Sequence, residues 1–240
     1  MELEITPTRH HKGFMMNKIE VKNITKKYNE KLVLNDISFS LKENTTVALL
    51  GPSGCGKTTL FNIIAGLEEP DFGQIFLDGT EITNTPGKVS YMPQSDLLFP
   101  HKTILENVTL PLILNGTIKK DAENTAKKFF DTFLLSETEN KFPHELSGGM
   151  RQRAAFLRTF LCDKEVLLLD EPFSALDNIT KNAMHSWYIN ISKCFKKTTL
   201  LITHDIDEAV LLADTILELS PNSHKIINQI NISDNKNLDF

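Results

Sequence analysis

Gly51-Pro52-Ser53-Gly54-Cys55-Gly56-Lys57-Thr58-Thr59 is the stretch on which the fold turns. It sets Gly51, Gly56, Lys57 and Thr58 on the fixed positions of the pattern G-x-x-x-x-G-K-[ST]. An apolar, β-branched run from Thr45 to Leu50 enters it, and an apolar-periodic segment with Leu60, Ile63 and Ile64, closed by Gly66, leaves it. Strand, glycine turn and helix N-terminus together make an anion cradle. The glycines let backbone N–H groups turn inward, and the helix dipole adds positive potential. Lys57 supplies a full charge for β- and γ-phosphates, and Thr58 places a hydroxyl where Mg²⁺ sits in such loops. A chance glycine-rich turn would not bring pattern and flanking elements together. The stretch reads as a nucleotide-phosphate site.

Composition bounds the rest. A chain of 240 residues, 40% apolar and 24% charged, can bury a substantial core, as one α/β domain or a core with an insert. A formal net charge of −5 offers no basic surface for nucleic acid. No apolar run approaches the ~18–20 residues that span a bilayer, and Met1 to Phe14 lacks the apolar core of a secretory signal. Cys55, Cys162 and Cys194 have neither disulfide nor metal spacing, which fits a reducing cytosol. Residues 1–16 read as a polar, disordered leader; it contains His10-His11, which carry no assigned role, and Met15-Met16, a second candidate start.

Upstream of the loop, Lys18 to Ile24 alternates as a strand, and Leu34, Ile37, Phe39 and Leu41 continue a strand pattern around an Asn35-Asp36 turn. Tyr28, between them, is an aromatic suited to stack on an adenine ring. Downstream, Gln74 to Leu77 and Lys88 to Met92 read as strands, the second ending in Pro93-Gln94. The character then turns helical. Thr103 caps a short helix through Asn107 that is interrupted near Pro111 and stopped by Asn115-Gly116. A second helix carries Ala122, Ala126, Phe129, Phe130 and Phe133 on one face. The β/α pattern returns with Val166 to Leu169, an apolar strand of the kind buried in a parallel sheet. A long helix with Ile179, Ala183, Trp187 and Ile191 at four-residue steps follows, then a strand from Thr198 to Thr203. A short helix over Ile206 to Ala213, strands over Thr215–Leu219 and Lys225–Ile230, and a frayed Asn- and Asp-rich tail complete the chain.

Two further stretches carry chemistry. In an open α/β sheet, ligands gather at the carboxyl ends of strands, so Asp170 and Glu171 are expected to face the crevice of Lys57. Asp170 suits Mg²⁺, and Glu171 can orient or deprotonate an attacking water. Leu146-Ser147-Gly148-Gly149-Met150 precedes a helix from about Met150 to Leu161, which is again an N-terminus with free N–H groups and a serine hydroxyl. One triphosphate has no need of two cradles on one chain. The inference is that this second cradle serves a nucleotide held by another copy.

With these residues in place, the chain resembles the ATP-binding subunit of ABC transporters over nearly all of residues 18–230. Tyr28 resembles the adenine-stacking aromatic, Gly51 to Thr59 the Walker A loop, and Gln94 the Q-loop glutamine that contacts Mg²⁺ and the attacking water. Leu146 to Met150 resembles the signature motif, Asp170 and Glu171 the Walker B aspartate and catalytic glutamate. Ser174-Ala-Leu-Asp177 resembles the D-loop that crosses the dimer, and His204 the switch histidine on the γ-phosphate. The resemblance implies a P-loop NTPase (RecA-like) core with an antiparallel β subdomain and an inserted helical subdomain. The expected division is a leader at 1–16 and one ABC ATPase domain at 17–240. Within it the core and β subdomain take 17–94 and 161–240, and the helical subdomain takes residues 95–160.

The same resemblance implies an ATPase using ATP and Mg²⁺, a homodimer, integral membrane permease partners, an extracytoplasmic substrate-binding protein, no nucleic acid, and a place on the cytoplasmic face of the membrane. Cys55 is expected in the closing interface beside the phosphates. Met150-Arg-Gln-Arg153 is similar to ATPases of nitrate, sulfonate, taurine and thiamine-precursor importers. Thr103 to Leu112 also resembles ATPases of lipoprotein release or macrolide export, which makes an exporter the alternative. A nucleic-acid-associated ABC ATPase is the remote one. Phe99-Pro100-His101 stands where many importer ATPases carry Pro-Trp; it is expected to face the membrane subunit.

Overall fold

The computed structural model describes residues 17–174 and 176–232. The expected leader, His10-His11, Met15-Met16, Ala175 of the D-loop stretch and the last eight residues of the tail lie outside the described residues.

Two sheets and a helical layer form the fold. β1 (Asn17–Tyr28) and β2 (Lys31–Lys42) make a long hairpin whose two turn residues, Asn29 and Glu30, both have positive φ, at 45° and 65°. That is the geometry of the tight turn matching strand twist. Asn35-Asp36 is not a turn, as its sequence suggests. β2 runs straight through it, and Asp36 at φ 53° is absorbed as an irregularity within the strand pairing. β3 (Thr46–Leu50) leads into α1 (Lys57–Ile64). α1 ends at Gly66 in the left-handed region, where Gly66 N–H donates to Ile63 O and Leu67 N–H to Asn62 O. β4 (Phe72–Leu77) and a two-residue β5 (Thr80–Glu81) complete an antiparallel sheet of order β2-β1-β4-β5.

The second sheet has the order β10-β9-β3-β8-β7-β6. Here β6 is Ser90–Met92, β7 Val166–Asp170, β8 Thr198–Thr203, β9 Thr215–Leu219 and β10 Ile226–Asn231. All neighbours are parallel except the edge pair β10/β9. β7 and β8 are buried along their whole length, because both faces are covered.

Between β6 and β7 come α2 (Ile104–Leu114), α3 (Lys119–Phe130) and α4 (Gly148–Phe160). α2 is not interrupted at Pro111. Thr103 and Glu106 cap it reciprocally, and Ile104, Leu105 and Val108 are buried in the core that α4 also joins. This packing outweighs the one helical hydrogen bond that proline removes. α5 (Asn178–Phe195) buries Met184, His185, Trp187, Tyr188 and Ile191, and Trp187 Nε1 donates to Thr132 O at 3.1 Å. Trp187 is core, as its position in the stripe implies. The N-terminal half of that stripe is wrong: Ile179 is 85% exposed and Ala183 is exposed. α6 (Ile206–Leu212) follows β8.

Candidate nucleotide site

Four parallel strands end almost level. Leu50 pairs with Thr203, Asp170 with Ile202, and Met92 with Leu169. The segments that follow β3, β8, β7 and β6 therefore leave the sheet along one edge, the edge where ligands of parallel sheets bind.

The loop after β3 is shaped by close approach. A Cβ on Gly51 would lie 2.8 Å from Leu219 O, and one on Gly56 2.8 Å from Val33 O, with Gly56 at φ 105°. Gly56 heads α1 without a side-chain cap, so the helix's first N–H groups are left for an anion. Lys57 is folded inward: its buried Nζ donates to Gly51 O at 2.8 Å and Pro52 O at 2.9 Å. An ammonium has three N–H bonds, so one remains for a ligand.

Thr58 Oγ1 donates to Asp170 Oδ2 at 3.0 Å, and Tyr91 Oη donates to the same oxygen at 3.4 Å. Asp170 is buried, and its carboxyl is held above the ordinary value of 3.8 by that burial, aided by Glu171 and opposed by Thr58, Tyr91 and Lys57. Burial, with the charge of Asp170, likewise pushes the Tyr91 phenol up. Tyr91 is the site residue that sequence reasoning missed: nothing in Ser90-Tyr91-Met92 signals that β6 will lie beside β7. Next along, Glu171 turns into the left-handed region at φ 45°, its N–H donating to Ile202 O. Its carboxylate oxygen accepts from Gln94 Nε2 at 3.2 Å and faces His204 Nδ1 at 3.3 Å. Gln94, Glu171 and His204, from three different segments, converge.

These residues border a cleft of about 390 Å³ lined by Ser53, Gly54, Gly56, Lys57, Thr58, Thr59, Gln94 and Glu171, with Tyr28 and Val33 from the β1–β2 hairpin. Tyr28 is half-exposed, and its hydroxyl donates to Glu68. Glycine N–H groups, an ammonium and an aromatic wall in one cleft suit the phosphates and base of a nucleotide. The oxygens of Thr58 and Asp170 are hard donors of the kind Mg²⁺ takes. No cluster of three or more His, Cys, Asp or Glu exists among the described residues.

Other expected residues lie elsewhere. Ser147, Gly148 and Gly149 are not among the residues lining this cleft. Ser147 Oγ accepts from Met150 N at 3.3 Å as the N-cap of α4, which starts at Gly148, two residues before the expected Met150. Gly148 lines a second cleft of about 380 Å³ with Gln94, Arg151 and Leu176. Asp177 caps α5, accepting from the N–H groups of Ile179 and Thr180, both at 3.1 Å. Cys55 is a correction. Its thiol is buried in the core with Leu60 and Leu219 rather than facing outward, because the turn closed by Cys55 N–H on Pro52 O turns this side chain inward. Burial raises its pKa, against the pull of Lys57.

The ABC transporter family profile matches residues 34–174. The chain is 51% identical over 184 residues to the formylaminopyrimidine import ATP-binding protein ThiZ of Halalkalibacterium halodurans, an overlap of 77% of this chain and 72% of that one. It is 38% identical over 215 residues to the taurine import ATP-binding protein TauB of Yersinia pestis, covering 90% and 84%. Among solved structures it is similar to the dimeric bacterial ABC transporter cassette MJ0796, with 30% identity, a TM-score of 0.78, and coverage of 89% and 98%.

Two outcomes follow from the site's geometry. A bulky maleimide will label exposed Cys194 in the folded protein and leave Cys55 unlabelled until denaturant is added, as read by peptide mass spectrometry. Asp170→Asn will raise Tm in nucleotide-free buffer at neutral pH, by roughly 2–4 °C for each 1 kcal/mol relieved. The sign comes from a carboxyl whose folded pKa is raised, which costs stability as pH climbs from its unfolded to its folded value. Below about pH 4, where the unfolded aspartate is itself protonated, the gain disappears.

Proposed function

The chain belongs to the ABC transporter family and is an ATP-binding subunit with ATPase activity; from that premise we propose that it powers an importer by closing, as a homodimer, over two ATP molecules. The observation that carries this reading is the split between the two cradles. Lys57, Thr58 and Glu171 border one cleft, whereas Ser147 and Gly149 do not. An ATP bound to the first cleft has the second cradle free to meet it only from another copy. ATP then favours the closed dimer because it touches more groups there, the only way a ligand shifts such an equilibrium. Moving a 1:99 mixture to 99:1 takes about 5.5 kcal/mol of preference, within reach of several charge-assisted hydrogen bonds at two sites.

In the proposed reaction Lys57 and the loop N–H groups hold the β- and γ-phosphates, and Tyr28 stacks on the base. Thr58, Asp170 and Gln94 would hold Mg²⁺, which supplies charge neutralisation on the phosphate oxygens. Glu171 takes the proton of a water attacking the γ-phosphorus as the bond to the bridging oxygen breaks, and His204 donates to the γ-phosphate. The 3.2 Å bond from Gln94 and the 3.3 Å contact with His204 hold Glu171 ready for that role. Removing the γ-phosphate removes contacts that hold the dimer shut.

No helix among the described residues is long and apolar enough to cross a membrane. The route to the membrane is supported by an apolar groove of about 790 Å³, bordered by Leu97, Phe99, Leu110, Pro111 and Leu114 and reaching Tyr91 beside Asp170. Leu97 and Leu114 are 61% and 83% exposed, a cost in water that a permease loop would relieve. Import is favoured by two relatives that are import ATP-binding proteins, one for formylaminopyrimidine and one for taurine. The proposed place is the cytoplasmic face of the membrane, with a substrate-binding protein on the other side.

Glu171→Gln will cut hydrolysis by about 10²–10⁴-fold while keeping ATP binding, and will elute as a dimer in Mg-ATP. A monomer at saturating Mg-ATP would contradict the closure. Leu114→Asp will leave the basal ATPase rate within about twofold of wild type and abolish co-purification with the permease, since a carboxylate cannot be buried unpaired.

A further inference from the structure

The joint between α5 and α6 buries charge that the reaction above does not use. Lys181 Nζ donates to Asp205 Oδ2 at 2.6 Å and lies 3.2 Å from Glu208 Oε2. One turn further along α5, His185 Nε2 sits 3.0 Å from the same Glu208 oxygen. The ring of Phe173, two residues after Glu171, meets His185 edge-on at 5.0 Å. Glu208 and His185 are almost wholly buried. A buried ion cluster is a poor source of stability, because desolvation offsets most of the attraction and an apolar filling would serve as well. Its placement therefore calls for another reason.

That reason lies in what the cluster joins. Lys181 N–H donates to Asp177 O at 2.8 Å, so Lys181 belongs to the turn that Asp177 caps. Asp205 is the residue after His204. Its side chain caps α6 by accepting from Glu208 N at 3.2 Å, and its N–H donates to Thr203 Oγ1 at 3.0 Å. His204 itself is 54% exposed at the side chain, and Glu171 is its one polar side-chain partner among the described residues. Its position thus depends on its two backbone neighbours. Thr203 is fixed by β8; Asp205 is held locally by Thr203 and by its cap on α6, and Lys181 is what ties it to α5.

We propose that Lys181 is a positioning residue, whose bond to Asp205 locks the loop of His204 to the turn of Asp177 so that the two move as one unit. The proposal rests on the reading of His204 as the group that meets the γ-phosphate. It deepens that reading: a shift of the Asp177 turn, on whatever surface it docks, pulls His204 toward or away from Glu171 through one ammonium. The charges agree with a formed pair. Burial would lower the Lys181 pKa, yet Asp205 and Glu208 outweigh it and raise it, and Asp205 is held low, first of all by Lys181.

The test is steady-state hydrolysis with a fluorescent ATP analogue as a separate probe of binding. Lys181→Met is expected to lower kcat by roughly tenfold or more with KM and analogue affinity within about threefold of wild type. Lys181→Arg is expected to restore kcat to within about threefold, since a guanidinium can reach the same carboxylate. Asp205→Asn keeps an oxygen to cap α6 and removes the charged acceptor that holds Lys181, so it is expected to reproduce the loss even if Lys181→Met fails to fold. Combining Lys181→Met with His204→Ala should be no slower than His204→Ala alone, the mark of two residues acting through one group. Wild-type kcat in Asp205→Asn, an unrescued Lys181→Arg, or additive losses would overturn the proposal. Wild-type hydrolysis in His204→Ala would instead overturn the reading of His204, and the proposal with it, whatever the Lys181 variants do.

Discussion

The 3.0 Å hydrogen bond from Thr58 to Asp170 is the contact on which the rest of the site depends. It joins the first turn of α1 to the end of β7, two strands away from β3 in the sheet. That bond forms only if β3, β8 and β7 lie parallel, in a register that brings their ends level. The register in turn is fixed by burial. Leu201 packs in one core and Leu168, Leu200 and Ile202 in the other, and a one-residue slip would exchange the side chains offered to each. Apolar packing thus sets where a buried carboxylate and a hydroxyl meet.

The same site holds local costs that the packing sustains. Glu171 adopts a left-handed backbone unusual for its residue type, and Asp170 is buried with its carboxyl raised. The backbone strain at Glu171 costs on the order of 1 kcal/mol or more, and the buried carboxyl adds a desolvation cost. Both are tolerable because the strands around them bury large side chains, each contributing about 1.5–3 kcal/mol. Thr58 and Tyr91 both donate to the same Asp170 oxygen, Oδ2. The strain is concentrated where a ligand can relieve it.

The helical layer answers to a different requirement. α4 begins with the second cradle at Ser147, yet its body packs Ala154, Phe156, Leu157 and Phe160 into the core beside Leu167 and Leu169 of β7. The cradle therefore cannot shift without disturbing the sheet edge. Two arginines tighten this further. Arg151 Nε donates to Asp96 Oδ2 at 3.2 Å, and Arg158 donates to the carbonyls of Asp96 and Leu97. Asp96 is two residues after Gln94, so the segment hydrogen-bonded to Glu171 is stitched to the helix that Ser147 caps. The apolar groove beside Leu97 lies against the same stitch, so the proposed partner docked there would have mechanical access to both clefts.

Much of this was legible in the residues. The loop from Gly51 to Thr59 dictated a phosphate cradle because glycines, lysine and threonine at that spacing have few other uses, and runs such as Val166 to Leu169 announced buried parallel strands. Local rules failed where long-range packing outweighs them: Pro111 stayed inside α2 and Asn35-Asp36 inside β2, held by neighbours distant in sequence. Ile179 looked like core by its four-residue step but lies exposed in the first turn of α5. Val33 reaches the cleft by hairpin placement and Tyr91 reaches Asp170 by strand pairing, which no local pattern encodes. Cys55 shows the limit most sharply. Its position in the chain put it beside the phosphates, and only the turn's three-dimensional course decided that its thiol faces the core. The sequence by itself determined which chemical groups exist and what strands and helices carry them. The tertiary structure alone decided which groups share a cleft, because direction and register are properties of packing between segments far apart in the chain.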